Sequence, residues 1–131
     1  MNNIKFTYLY RDAGNYKKWA DVVFSNPDGL SPARITEALL MSFLTDGLFI
    51  AHQIRIPEVF LSSDQGLTLD DHCFHEFSGV EVSSNAPNDK YVRSIALFIA
   101  EVNHEAKMGW RAFDPYDRLA NAGRRVARPL K

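Results

Sequence analysis

The 131 residues set 15 Lys and Arg against 16 Asp and Glu, with 46% hydrophobic and 24% charged side chains. Those are globular averages, which excludes wholesale disorder, and the length suits one domain able to bury roughly two-thirds of its unfolded surface. The longest unbroken apolar run, Ile95 to Ala100, is far short of the ~18–20 residues that cross a bilayer. A single cysteine, Cys73, excludes an intrachain disulfide framework and suits a reducing compartment. The opening residues alternate where a signal peptide would carry a basic start and an apolar block, so a cytoplasmic domain with no membrane partner is expected.

Residues 4–11 place Ile4, Phe6, Tyr8 and Tyr10 on one side and Lys5, Thr7, Leu9 and Arg11 on the other, a period-two pattern that predicts a half-buried strand. Residues 12–15 form a turn in which Gly14 and Asn15 tolerate positive φ. The return strand, residues 18–25, sets Ala20, Val22 and Phe24 against Trp19, Asp21 and Val23. Ser31-Pro32 starts a helix, with a serine cap and a proline where no N–H is needed. Its stripe is Ile35, Leu39, Leu40, Phe43 and Leu44, and Asp46-Gly47 ends it. Residues 48–51 look extended, Pro57 forbids a helix, and residues 58–61 suit a short strand or irregular packing. Residues 70–82 suggest a strand pair or one long bent strand, with Gly79 at a bulge or bend. Asp89 is expected to cap a second helix with an apolar stripe of Tyr91, Ile95, Phe98, Ile99, Val102 and Ala106, leaving Arg93, Glu101 and Glu105 outside it. Gly109 ends that helix, and Asp114-Pro115 opens a short amphipathic piece.

Strands joined by short loops pair antiparallel, and two amphipathic helices need a surface to cover. The expectation is an α+β two-layer sandwich: an antiparallel sheet of about four strands with both helices on one face. The domain spans residues 1–109. Residues 110–131 form a basic C-terminal extension packing on the body or on a partner subunit. Charge is uneven along the chain. Residues 1–105 hold eight basic and fourteen acidic side chains, and residues 106–131 hold seven basic and two acidic. The basic residues are interrupted, without the dense cluster of a nucleic-acid patch, so docking is favoured over nucleic-acid binding.

The densest polar cluster is Asp70, Asp71, His72, Cys73, His75 and Glu76. Histidine, carboxylate and thiol suit acid–base chemistry or a transition metal. On a strand they divide, with Asp70, His72 and Glu76 on one face and Asp71, Cys73 and His75 on the other. The candidate ligand-binding or acid–base set is Asp71, His72, His75 and Glu76. A structural role, hydrogen bonding at a strand end, is the favoured alternative, and neither a metal nor a cofactor is expected. Phosphate-loop, dinucleotide and hydrolase-elbow patterns are absent. Sixteen aromatic residues exceed what two helices obviously cover. Leu9, Trp19 and Val23 would therefore leave an apolar patch on the outer sheet face, and Trp19, Trp110 and Phe113 are candidate contacts of a homodimer.

The opening Ile4-Lys-Phe-Thr-Tyr-Leu-Tyr-Arg-Asp-Ala-Gly-Asn-Tyr-Lys17, then Val23-Phe-Ser-Asn-Pro27, then Asp70-Asp-His-Cys-Phe-His-Glu-Phe77, resembles a group of small bacterial proteins sharing this hairpin and an Asp-His-x-x-His-Glu-Phe segment. The resemblance covers roughly residues 4–82. The chain also resembles, in size, single-domain products of mobile integron gene cassettes. What this implies is a bacterial cytoplasmic protein of the accessory genome, with no activity carried over. A non-catalytic interaction or small-ligand-binding module is the favoured reading. The alternatives are a small enzyme using the Asp71, His72, His75 and Glu76 cluster, and a nucleic-acid-binding protein acting through the basic extension.

Overall fold

The opening alternation forms β1 (Asn3–Arg11), and the return strand forms β2 (Lys17–Phe24), paired antiparallel from Ile4 opposite Phe24 to Arg11 opposite Lys17. A computed structural model describes residues 2–12, 14–60 and 72–115. Two further strands, β3 (Leu48–Phe49) and β4 (His75–Ser83), complete a four-stranded antiparallel sheet of order β2-β1-β4-β3. With α1 (Pro32–Leu40) and α2 (Ile95–Met108), the chain is α+β. Only one strand stands where a pair was possible over residues 70–82; residues 72–74 precede it, and residues 70 and 71 lie outside the described residues. No helix among the described residues is long and apolar enough to cross a membrane.

Ser31 caps α1 by accepting the Arg34 N–H, with Pro32 at its first position. The helix ends at Leu40, ahead of Asp46-Gly47, because the Ser42 and Phe43 N–H groups both turn back onto the Leu39 carbonyl. Phe43 therefore enters the core from beyond the helix and stacks on Phe49 at 4.8 Å, while Leu40 and Leu44 stay exposed. Asp46-Gly47 makes the turn into β3 instead, both residues at positive φ. A side chain at Gly47 would also crowd the Phe77 Cβ at 3.3 Å.

Ile35 and Leu39 of α1, Ile95, Phe98 and Val102 of α2, and the inward residues of β1 and β2 share one buried cluster. Phe98 stacks on Phe24 at 4.4 Å and meets Phe6 edge-on at 5.2 Å. The outer residues Leu9 and Val23, expected to form an open patch, are both 2% exposed. Val23 lies against the loop after β4, where Asn88 accepts its N–H and donates to its carbonyl. Leu9 sits between its register partners Trp19 and Glu76.

The second helix starts at Ile95, capped by Ser94, and not at Asp89. The Asp89 carboxylate takes instead the backbone N–H, Nε and Nη2 of Arg93. Val92 adopts φ 55° in that turn, which breaks any helical path from Asp89 into α2. Tyr91 thereby leaves the apolar stripe and lies under the Arg55 guanidinium at 4.4 Å, while Arg93 turns inward and is 5% exposed. Its Nη1 donates to the Ile54 carbonyl and Glu101, and its Nη2 also donates to the Arg55 carbonyl, all at 2.9 Å. Every guanidinium N–H thus has an acceptor, which makes burial of the charge tolerable.

Burial alone would push the Asp89 carboxyl up, but the hydrogen bonds and charge of Arg93 hold it below the usual carboxylate range. Glu101 is held low first by its hydrogen bond from Arg55, against burial, and then by Arg93. A depressed carboxyl stabilises the fold fully above its unfolded pKa, near ~4, and that contribution drains as pH falls through the lower folded value. Stability should fall below about pH 4, and this acid limb should flatten in Arg93→Ala. Urea titration at neutral pH should show Arg93→Ala costing roughly 3–5 kcal/mol, since buried Asp89 loses its counter-charge, two carbonyls lose their donor and Glu101 keeps only Arg55. A cost under about 1 kcal/mol, the worth of a surface pair, would contradict this account.

Candidate ligand cleft

The sidedness of the 72–76 segment is set by a bulge. β1 pairs Thr7 with Gly79 but Tyr8 with Phe77, leaving Ser78 as the extra residue beside the expected Gly79. One inserted residue flips every side chain before it to the other face. Val80 beyond the bulge and Phe77 before it can therefore both pack against the core. His75 falls on the inner side and Glu76 on the outer, opposite Leu9.

His75 is completely buried, and its Nε2 accepts the Val59 N–H at 2.9 Å. The rings of Tyr8, Tyr10, Phe49 and Phe60 surround it with centroids 5.1–6.3 Å away. The Tyr8 hydroxyl donates to the Pro57 carbonyl at 2.6 Å, holding the start of the segment that covers this ring. Cys73 is buried, and its Sγ accepts the Phe113 N–H at 3.4 Å.

His72 lies on the other side of the segment. Its Nε2 is 2.7 Å from the Arg11 carbonyl, which can only accept, and its Nδ1 accepts the Phe74 N–H at 3.0 Å. The two bonds together fix the neutral Nε2–H tautomer. A proton on Nδ1 would break the bond to Phe74.

The outer groups meet in a cleft of about 590 Å³ lined by Arg11, Asp46, Leu48, His72, Phe74 and Glu76. Arg11 grips Glu76 through Nε and Nη2, both at 3.1 Å, and its Nη1 donates to the Asn15 side chain at 2.6 Å. That pairing, first through the hydrogen bonds, raises the Arg11 pKa further. Asp46, on its positive-φ turn, adds a carboxylate that no ion pair neutralises among the described residues. The wall is apolar at Leu48 and Phe74.

Of the four residues singled out from the sequence, His72 and Glu76 share this cleft, His75 is sealed on the far side of the sheet, and Asp71 lies outside the described residues. Among the described residues no three His, Cys, Asp or Glu side chains converge on a point that could hold a metal. Trp110 and Phe113 are seated in their own chain. The Trp110 indole N–H donates to the Ser42 carbonyl, and Phe113 meets His52 and Phe60 edge-on. Trp19, in contrast, is 56% exposed. Arg111 pairs with Glu105, and residues 116–131 of the basic extension lie outside the described residues.

Asp46 escaped the sequence reading because an Asp-Gly pair is first of all turn chemistry. A second cleft of about 520 Å³ escaped it too. It lies along Asp21, His52, Arg55, Asn88, Lys90 and Tyr91, assembled from three distant segments. The local sequence carries no signal of that assembly beyond the aromatic Tyr91 near basic residues.

His75→Phe should lower unfolding stability by about 1–3 kcal/mol, because the Val59 N–H loses its acceptor. Excess chelator should leave the thermal midpoint of the unaltered protein unchanged. Elemental analysis finding one transition ion per chain would contradict the structural role given to His75.

Comparison with protein-family models, curated proteins and solved structures finds no match to this chain, so its functional reading rests on the geometry of the cleft.

Proposed function

We propose that this chain is a non-catalytic binding module that takes a small cationic ligand in the Arg11, Asp46 and Glu76 cleft and works as a homodimer. The observation that carries the reading is the double commitment of His72, whose ring nitrogens both serve the main chain. That leaves no imidazole nitrogen in the cleft free to move a proton, which weighs against the acid–base alternative. Among the described residues of the cleft Asp46 and Glu76 outnumber Arg11, so it favours a positive group beside the apolar wall of Leu48 and Phe74. The shared core of both helices and the inner sheet face supports a two-layer sandwich. The basic extension beyond residue 109 is read as docking on this body, starting from Trp110 and Arg111, and not as a nucleic-acid arm. A bacterial, cassette-borne origin rests on the resemblance alone, and the cytoplasmic reading rests also on the lone Cys73 and the alternating opening residues.

The test is an amide-resolved NMR titration at neutral pH with small aralkyl amines such as benzylamine, which are cationic there, and their carboxylate isosteres. The amines should shift the amides of Leu48, Phe74 and Glu76, and Asp46→Asn should weaken the response several-fold. Carboxylates binding as well as amines, or shifts confined to other surfaces, would overturn the reading.

A further inference from the structure

We propose that the open edge of β2 is the contact of the homodimer, pairing residues 17–21 antiparallel with the same residues of a second copy. This rests on the homodimer reading and names its surface. Among the described residues β2 is the terminal strand of the sheet, and Lys17, Lys18, Trp19 and Asp21 are all exposed.

The direction of the main-chain groups follows from both ends of the hairpin. At one end the Asp12 N–H donates to the Tyr16 carbonyl, which makes residues 12 and 16 a hydrogen-bonded pair. At the other end the N–H and carbonyl of Val23 are both engaged by Asn88, on the side away from β1. Hydrogen-bonded and non-bonded pairs alternate along an antiparallel ladder, and the β1–β2 register is unbroken. The N–H and carbonyl groups of Lys17, Trp19 and Asp21 therefore point outward, three successive positions ready to bond another strand.

The same geometry fixes the partner. Asn88 closes the edge at Val23 and the turn closes it before Lys17, so the open stretch is centred on Trp19. A twofold axis through that residue sets Trp19 opposite its own copy and each Lys17 opposite the second copy's Asp21, all on one face. Opposite charges meet at both ends around an aromatic pair, whereas a shift by two residues puts Lys17 opposite Trp19 and loses both charge pairs. Asn88 sits where the strand of the second copy has already given way to its turn. The edge is complementary to itself in one register.

Light scattering on the full chain at micromolar concentration should give a mass near twice 14.9 kDa. Trp19→Pro should give the monomer mass with an unchanged far-UV spectrum, since the lost N–H is not part of the β1–β2 ladder. Asp21→Lys should weaken dimerisation by about tenfold, because two like-charge pairs replace two opposite ones. The double variant Lys17→Asp with Asp21→Lys should restore it to within about threefold, since the pairs re-form with signs exchanged. A monomeric unaltered protein overturns both the homodimer and this surface, leaving the ligand cleft to its own titration. A dimer that ignores Trp19→Pro, or that the double variant fails to restore, overturns this surface alone.

Discussion

The fold turns on the burial of one guanidinium. Arg93 carries five N–H groups in a fixed plane, and a buried position is open to it only where each meets an acceptor. Asp89 and Glu101 supply the charge, and the carbonyls of Ile54 and Arg55 supply the rest. Three segments are thereby tied together: the 3-10 turn Ala51–Ile54, the turn ahead of α2, and the second turn of α2 itself. Phe24 and Phe98 lie 5.7 and 5.1 Å from the guanidinium carbon, so the polar knot sits against the aromatic core. Arg55 at φ 59° and Val92 at φ 55° show what it costs, since both hold conformations uncommon for residues with a side chain.

A second consequence concerns the polar segment that leads into β4 and includes its first residue, His75. It holds several residue types that chemistry uses, yet the chain employs most of them as main-chain partners. His75 receives a backbone N–H inside an aromatic shell, Cys73 receives another, and His72 bridges a carbonyl and an N–H. Such bonds hold the 57–60 segment and residues 72–74 in place without regular secondary structure. The cleft bordered by this segment holds the paired Arg11 and Glu76 together with Asp46, the groups on which the proposed binding of a cationic ligand rests.

Much of this was legible in the sequence, and the failures share a cause. The β1–β2 hairpin, the Ser31-Pro32 start, the Gly109 stop and the bulge near Gly79 are local, and each has a residue that performs the local task. Arg93 is different. A charged residue four places after an Asp looks like an exposed helical pair, while its other acceptors lie eight, thirty-eight and thirty-nine residues away. Asp89 has the chemistry of a helix cap, but its carboxylate is taken by Arg93 and Val92 turns to positive φ, so the helix starts at Ile95 with Ser94 as its cap. Period two divided His72 and Glu76 from Cys73 and His75 correctly, but which side is inner depends on the bulge and its register with β1. The same non-local cover explains Val23, buried by an Asn88 that no pattern around the strand announces.

The assignment of the polar segment to architecture instead of catalysis stands on the two imidazoles, and their tautomers can be observed directly. Long-range nitrogen–proton correlation NMR on uniformly labelled protein at neutral pH should show His72 carrying its proton on Nε2. It should show His75 carrying its proton on Nδ1, because its Nε2 accepts from Val59. A His72 ring protonated on Nδ1, or exchanging rapidly between both forms, would mean that the bonds to Arg11 and Phe74 do not hold it, and would return that residue to the list of working acid–base groups.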